Sequence, residues 1–499
     1  MAVALFLSVL LIAACGLIYE LVASALASYL LGDSVTQFST VIGTYLFAMG
    51  IGSWMSRFLS RGLVARFITI ELLVGLVGGF SSTLLFLTFA YTDAFRLVLY
   101  VLVAILGVFV GLEIPLLMRI LKDRYAFKDV VANVLTFDYL GALAASLAFP
   151  LLLVPHLGLV RSALLFGLIN AGVALWSVWL FREHLGARRV LGGACVAVLL
   201  LLSAGMAGAT RITTLAEDSI YSGEVIFARH TRYQRIVLTA WKDDLRLWLN
   251  SHLQFSSRDE YRYHEALVHP GLSARPSARR VLILGGGDGL AAREVLKHPG
   301  VESVTLVDLD PEMTRIFSTH PMLVALNQGA LSSPKVHVVN DDAFVWLDKS
   351  TDMFDFIVVD FPDPNNYGVG KLYTTVFYRL LARHLSRDGL VVVQATSPLF
   401  ARKSYWCIAE TIAQSGLTTY PYHLYVPSFG EWGFVLASFG GDYAPATTLP
   451  AGLRYLTVAE VPRLFEFSAD MQRVAVEANR LNTQVLVRYY EEEWDRVNR

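Results

Sequence analysis

The sequence predicts a chain in two parts: a multi-span α-helical membrane domain, then an α/β domain in which a small β-hairpin region leads into a doubly wound sheet. Three observations predict it. The 499 residues are 55% hydrophobic with a mean hydropathy of +0.51, too apolar for one soluble domain. The excess lies at one end, in long apolar runs before residue 210. Beyond residue 276, buried-strand patterns alternate with amphipathic-helix patterns. The expected boundaries are 1–210 for the membrane helices, 211–275 for the hairpins, 276–445 for the doubly wound sheet and 446–499 for a C-terminal helical extension.

Seven candidate spans run at about 4–30, 37–56, 67–91, 97–118, 131–154, 160–181 and 190–208, each long enough for a hydrocarbon core of ~30 Å. The first is too long, and too closely followed by others, for a cleaved signal peptide. Basic residues gather after the second span (Arg57, Arg61, Arg66), the fourth (Arg119, Lys122, Arg124, Lys128) and the sixth (Arg182, Arg188, Arg189), while the other loops hold only Arg96 and Arg161. By the positive-inside rule the N-terminus is cytoplasmic, and an odd number of spans puts everything after residue 209 outside. A non-crossing segment near Pro150 and Pro155 would reverse that. Glu20, Glu113 and Asp138 lie within the spans, where carboxylates either hydrogen-bond between helices or line the path of a cation. The formal net charge of −1 is uninformative about polyanion binding, and no nucleic-acid partner is expected. Cys15, Cys195 and Cys407 are too scattered for a disulfide framework or a metal cluster, so no metal is expected.

The hairpin region is read from EVIFARH, QRIVLTAW and LRLWLNS, which alternate in polarity, with the turn-forming KDD between the last two. Buried strands follow at 281–284, 304–308, 336–339, 355–360 and 390–395, and LAAREVLKH, YTTVFYRLLARHL and SYWCIAETIAQ are the crossover helices. After the first strand comes LILGGGDGL. Gly285 and Gly287 fit a dinucleotide fingerprint, but the third glycine is Gly289 where Leu290 would have to be glycine. Asp288 within the turn would repel phosphate, so the ligand is not expected to be a pyrophosphate.

Ligands of such sheets sit beyond the carboxyl ends of the strands, and here those ends are acidic: Asp288, Asp308 with Asp310, Asp341 with Asp342, and Asp360 with Asp363. Asp310 and Asp363, each followed by proline, also suit turns or helix caps. Four converging acidic strand ends are mutually repulsive and call for a cation. A nucleoside carrying a positive centre in place of phosphates, with its ribose on Asp308, meets that demand. S-adenosylmethionine and its decarboxylated form, both sulfonium ions, are such nucleosides.

At this point the chain resembles the aminopropyltransferases, spermidine synthase and its relatives, over about residues 215–440. The likeness rests on YQRIVL (233–238), LQFSSRDEYRYHEALVHP (253–270), LGGGDGLAAREVLKH (284–298), DLDPEM (308–313), NDDAF (340–344), DFIVVDFPDP (355–364) and KLYTTVFY (371–378). The apolar helices look like those of membrane-fused members. The resemblance implies a Rossmann-like, methyltransferase-type sheet and transfer of an aminopropyl group from decarboxylated S-adenosylmethionine to a diamine, putrescine first, with no tightly bound cofactor. It makes Asp360 the catalytic base. It assigns the donor to Gln234, Gln254, His264, Gly285, Gly287, Asp288, Asp308, Asp342 and Ala343, and the amine to Asp363, Tyr233, Tyr263 and Trp432, the last within SFGEWGF.

The chain departs from the family pattern at Phe361 and Pro362, between the two acids of the catalytic loop, at Phe429, where a tyrosine is common, and at Asn250-Ser251, which replaces an acid-glycine turn. These changes leave cadaverine, spermidine or another amine as alternative acceptors. Two other readings compete: a methyltransferase, which would need Arg293 or another base to offset the carboxylate of full S-adenosylmethionine, and a non-enzymatic polyamine sensor or transporter. The expected location is the cell membrane, multi-pass, with the lipid bilayer as partner. Donor supply favours a cytoplasmic catalytic domain against the loop charges, and the hairpin region offers a surface for homo-oligomers.

Overall fold

Seven helices make up most of the first of two units into which the chain divides, Met1–Gln234 and Arg235–Arg499. The structure, a computed structural model, describes residues 2–31, 35–92, 94–122, 126–183, 185–221, 223–440 and 443–497; Arg124, counted among the loop charges, lies outside the described residues. The helices are α1 (Ala2–Leu31), α2 (Val35–Met55), α3 (Leu63–Tyr91), α4 (Phe95–Leu121), α5 (Phe127–Ala148), α6 (Val154–Leu180) and α7 (Arg188–Ile220), followed by strand β1 (Glu224–His230).

By length and composition, six helical stretches among the described residues are able to cross a membrane, against seven spans expected from the sequence. The difference lies in the fifth, Phe127–Leu180, where α5 and α6 are joined through a π-helical turn at Phe149–Leu153. Drawn straight, its 54 residues would reach about 80 Å. Instead the chain doubles back. Phe6 stacks on Phe137 at 5.4 Å, the Cys15 thiol donates to the Phe166 carbonyl at 3.5 Å, and Gly141 faces the Leu10 carbonyl. Phe6 to Cys15 is about 14 Å of α1, whereas 137 to 166 would be about 43 Å of straight helix. The reversal falls where Pro150 and Pro155 lack backbone donors and Gly158 adopts φ 72°, ψ 177°. One apolar stretch thus holds two helices of crossing length. Elsewhere small residues bring helices together: a Cβ at Gly52 would stand 2.0 Å from the Val108 carbonyl oxygen, so α2 and α4 meet backbone to backbone.

The second unit begins with an antiparallel meander of β2 (Arg235–Trp241), β3 (Asp244–Leu249) and β4 (His252–Ser256). Asn250 and Ser251, the pair that departs from the family pattern, sit at φ 48° and 68° in the β3–β4 loop. A two-residue hairpin loop of the mirror-image type requires positive φ at both positions, and Asn tolerates it. Helix α8 (Glu260–Leu272) leads to the main sheet, whose elements are β5 (Arg280–Gly285), α9 (Leu290–Leu296), β6 (Ser303–Asp308), α10 (Pro311–Thr319), α11 (Pro321–Leu326), β7 (Val336–Asn340), α12 (Ala343–Lys349), β8 (Phe354–Asp360), α13 (Tyr367–Gly370), α14 (Thr375–Ala382), β9 (Leu385–Gln394), α15 (Arg402–Ala413), β10 (Thr418–Val426), β11 (Gly430–Ser438) and α16 (Val485–Val497).

The strand order is β10-β11-β9-β8-β5-β6-β7. Strands β5 to β9 are mutually parallel, while β11 pairs antiparallel with β9 and with β10. The sheet is therefore Rossmann-like and mixed, not wholly parallel. The two antiparallel strands escape a search for continuous apolar runs because they are only partly buried toward β10's start and β11's start. Chain order reverses on either side of β5, which opens a crevice above the carboxyl ends of β5, β6 and β8. Residues 446–499 do not form a continuous helix. Among the described ones only Val461–Phe465 and α16 are helical, and the Glu265 carboxylate holds the N–H groups of Arg454, Tyr455 and Leu456 at 2.7, 2.9 and 2.9 Å.

Candidate active site

The turn after β5 is built for close approach. Gly285 has φ 81°, and a Cβ there would lie 2.2 Å from the Asp360 carbonyl oxygen; a Cβ at Gly287 would lie 2.6 Å from the Asp308 carboxylate. With no side chain in the way, the Gly287 N–H donates to Asp308 Oδ2 at 3.0 Å, and the Asp310 N–H donates to the other oxygen at 2.9 Å. Asp288 Oδ1 accepts the Leu290 N–H at 2.9 Å, and the Asn327 amide donates to the Asp288 carbonyl at 2.9 Å. The carboxylate thus occupies the start of α9, where a phosphate would otherwise sit. Asp310, by contrast, is the N-cap of α10 and accepts the Glu312 N–H at 3.1 Å.

Asp360 ends β8, directly beside Gly285 in the register. The Tyr263 hydroxyl, carried by α8, donates to Asp360 Oδ1 at 2.6 Å. Burial raises the Asp360 pKa, with the Tyr263 bond and the nearby His264 pulling it down. Burial also pushes Asp288 up to about 6, with His264 opposing and Asp360 adding to the rise. Asp308 is pushed up to about 7 by burial, against the two backbone N–H groups it accepts. His264 moves the other way from most buried histidines. Desolvation would lower its pKa, but its Nδ1–H bond to Glu260 Oε2 (2.9 Å) carries it up to about 9. The crevice is acid-rich, with a charged imidazolium set behind it.

Arg293 does not face the turn. Its guanidinium donates to both oxygens of Glu260 at 2.9 and 2.8 Å, to Glu294 Oε1 at 2.8 Å and to the Leu326 carbonyl at 2.9 Å. A compensating role toward a donor carboxylate is therefore closed to it. Glu294 continues the network to His269 (2.8 Å), which meets His298 at 2.9 Å.

Asp363 is held by three donors: Thr396 Oγ1 at 2.9 Å, Gln394 Nε2 at 3.2 Å and the Tyr490 hydroxyl at 2.9 Å. Burial nevertheless keeps its pKa raised. Thr396 sits at φ 58°, an unusual backbone for a β-branched residue, so the site carries local strain there. Tyr263 packs edge-on against Phe434 (5.1 Å) and Phe429 (6.3 Å), and Phe429 lies tilted against Trp432 (5.0 Å), forming an aromatic wall beside the Asp360 partner.

Asp342 caps α12 by accepting the Phe344 N–H at 2.9 Å and pairs with Lys371 at 2.6 Å. Burial would raise its pKa, but Lys371 and the cap outweigh that and lower it. Ala343 is the buried first residue of α12. Gln254 lies on β4, donating to the His252 carbonyl at 3.2 Å. Tyr233 and Gln234 belong to the first unit, in a turn where the Thr231 N–H donates to the Gln234 carbonyl at 2.9 Å.

The structure thus brings together Asp288, Asp308, Asp360, Tyr263 and His264 through hydrogen bonds and mutual electrostatics, and Asp363 joins the same loop. Sequence reading missed Gln394, Thr396 and Tyr490, which hold Asp363, and the Glu260–Arg293–Glu294 network behind His264. Gln394 carried one signal, a polar residue at the end of an apolar strand; Tyr490, 127 residues from its partner, carried none.

A family model for the spermine/spermidine synthase domain matches residues 260–449. Polyamine aminopropyltransferase 2 of Ralstonia nicotianae is 58% identical over 99% of this chain and 99% of its own length. The chain belongs to the polyamine aminopropyltransferase family. The polyamine aminopropyltransferase of Leptospira interrogans is 52% identical over the full length of both chains, and that of Mycobacterium tuberculosis is 40% identical over 97% of this chain and 95% of its own. These relatives match the apolar helices as well as the catalytic unit, so the fused arrangement is shared. A crystal structure of a spermidine synthase in complex with the transition state analogue AdoDATO is 26% identical, with a TM-score of 0.46, over 49% of this chain and 85% of that one. Relatives 40–58% identical over nearly the whole chain make the protein an enzyme, a polyamine aminopropyltransferase.

Proposed function

We propose that the enzyme transfers the aminopropyl group of decarboxylated S-adenosylmethionine to putrescine, giving spermidine and 5′-methylthioadenosine, with Asp360 as general base. The observation that carries this reading is the trio of recessed carboxylates at adjacent strand ends, Asp288, Asp308 and Asp360, whose pKa values are all raised. A cationic donor relieves their repulsion, and a phosphate would worsen it. In this reading Asp308 takes the ribose hydroxyls, Asp288 takes the ammonium of the aminopropyl arm, and Asp342 with Ala343 meets the adenine. Gln254 flanks the arm, His264 steadies the two inner carboxylates, and Gly285 and Gly287 let the nucleoside approach the backbone.

The acceptor enters along Tyr263, Phe429 and Trp432, whose ring faces attract its charged ends. Asp363 holds the distal ammonium. The attacking end is protonated in water, with a pKa near ~10.4 as for lysine. Asp360, with its raised pKa, accepts that proton. The freed lone pair forms the new C–N bond as the C–S bond breaks, and the sulfonium leaves as a neutral thioether. Alignment in the crevice supplies much of the rate. Methyl transfer from full S-adenosylmethionine is disfavoured, because its extra carboxylate would meet Asp288 while Arg293 is already engaged.

The apolar helices make the enzyme a multi-pass membrane protein in this reading, with the catalytic unit on the cytosolic side where its donor is made. Labelling of a cysteine introduced after residue 215, in intact cells, tests that side. The reaction is tested with detergent-purified protein, putrescine, and either decarboxylated or full S-adenosylmethionine, with products identified by mass spectrometry. Methylthioadenosine and spermidine from the decarboxylated donor alone are expected, and Asp360→Asn should abolish them while still binding donor. S-adenosylhomocysteine would overturn the reading.

A further inference from the structure

The first unit carries a second acidic cluster, inside its apolar helices. To Glu20, Glu113 and Asp138 the structure adds Glu71 on α3. Glu71 and Glu113 are 0% and 2% exposed, and no ion pair reaches either among the described residues. Among the described residues, both Glu71 carboxylate oxygens and Glu113 Oε1 have no hydrogen-bond partner, nor do Tyr19 Oη and Asn170 Oδ1, although Tyr19 and Asn170 are fully buried.

These groups are neighbours. The Tyr19 ring lies over Gly78 of α3, two turns from Glu71, and Gly16, one turn before Tyr19, packs on Val110 of α4, one turn before Glu113. Asn170, on α6, donates its amide to the Glu71 backbone carbonyl at 3.3 Å, which anchors the side chain on α3 beside that glutamate. The nearby Tyr45 hydroxyl is already spent on the Gly16 carbonyl at 2.9 Å. Among the described residues, four unpartnered acceptor oxygens therefore accompany one unpartnered hydroxyl. Acids that merely tie helices together would find donors on the adjoining helices, and a buried acceptor without one is costly.

What the cluster lacks is a compact positive donor. We propose that Glu71, Glu113, Tyr19 and Asn170 form a binding site, within the helix bundle, for the primary ammonium end of an alkyl amine. Such a group brings three N–H donors and one charge. With one of the two carboxyls protonated, the pair carries a single negative charge and the ammonium neutralises it. A structural metal fits less well, because no group of three His, Cys, Asp or Glu among the described residues is arranged to hold one. The site does not rest on the reaction proposed above, although amines are the substrate class of this family.

The test is equilibrium binding of radiolabelled putrescine to the full chain in phosphatidylcholine nanodiscs. One equivalent per chain is expected to survive Asp360→Asn and Asp363→Asn, and to weaken by at least about tenfold in Glu71→Gln and in Glu113→Gln. Product formation by Glu71→Gln in detergent should stay within about twofold of wild type, which separates loss of this site from loss of fold or of catalysis. Should the glutamate variants fail to fold, Tyr19→Phe removes only a hydroxyl and should weaken binding severalfold. Unchanged binding in all three variants overturns the proposal. So does equal displacement by sodium, which would make it a metal-cation site, or proton uptake with no bound amine.

Discussion

Replacing Tyr263 by phenylalanine isolates one bond of the proposed mechanism. The Tyr263 hydroxyl lies 2.6 Å from Asp360 Oδ1 and stabilises the ionised carboxylate, the form a general base needs. A hydrogen bond to a charged group contributes about 1.5–3 kcal/mol. Asp360 is recessed but still reached by solvent, so the lower end applies, which at about 1.36 kcal/mol per pH unit shifts the acid limb of kcat/KM upward by about one unit. The sign follows from the base. Below its pKa Asp360 is protonated and idle, so Tyr263→Phe should lose about tenfold on the acid side and little once the pH lies well above the limb. The assay is the pH profile of methylthioadenosine formation for both proteins. An unmoved limb, with a uniform drop at every pH, would refute the idea that Tyr263 acts through Asp360 and would leave it only a packing role.

Three further outcomes are expected. Gly287→Ala puts a Cβ 2.6 Å from the Asp308 carboxylate, so donor Kd should rise at least about tenfold by calorimetry while amine binding holds. Because Asp288 sits near 6 before the donor arrives, a cation placed on it lowers its pKa; titration at pH 6 in buffers of differing ionisation heat should show protons released, and none above about pH 8. Arg293→Leu removes the guanidinium that Glu260 and Glu294 share and leaves them His264, His269 and Lys297, so a loss of about 3 kcal/mol, the low end for breaking a buried pair, is expected in denaturant unfolding of the catalytic unit. Adding Glu260→Gln should recover part of that loss.

Much of the candidate site was legible because strand ends are local. An apolar run that stops at an acid, as at Asp308 and Asp360, shows both the strand and the residue it presents, and a glycine turn with Asp288 inside it rules against phosphate before any coordinates exist. What holds those acids was not legible. Tyr490 reaches Asp363 from α16, and Arg293 locks Glu260 across 33 residues; no spacing rule links residues that meet only after the chain has folded. Glu71 shows the same limit from the other side. It is one acid in a long apolar run, and its missing partners become visible only when α3 has neighbours.

The sequence by itself determined the two-part architecture, the parallel core of the sheet and the acidic strand ends, because hydropathy and period are properties of adjacent residues. It did not decide the antiparallel β10–β11 pair or the reversal between α5 and α6. Nor did it decide which charges are spent, with Arg293 and His264 committed to Glu260 while no ion pair reaches Asp288 or Asp360 among the described residues. Those outcomes depend on which surfaces meet, and burial, which sets pKa values and the cost of unpaired groups, exists only once they have met.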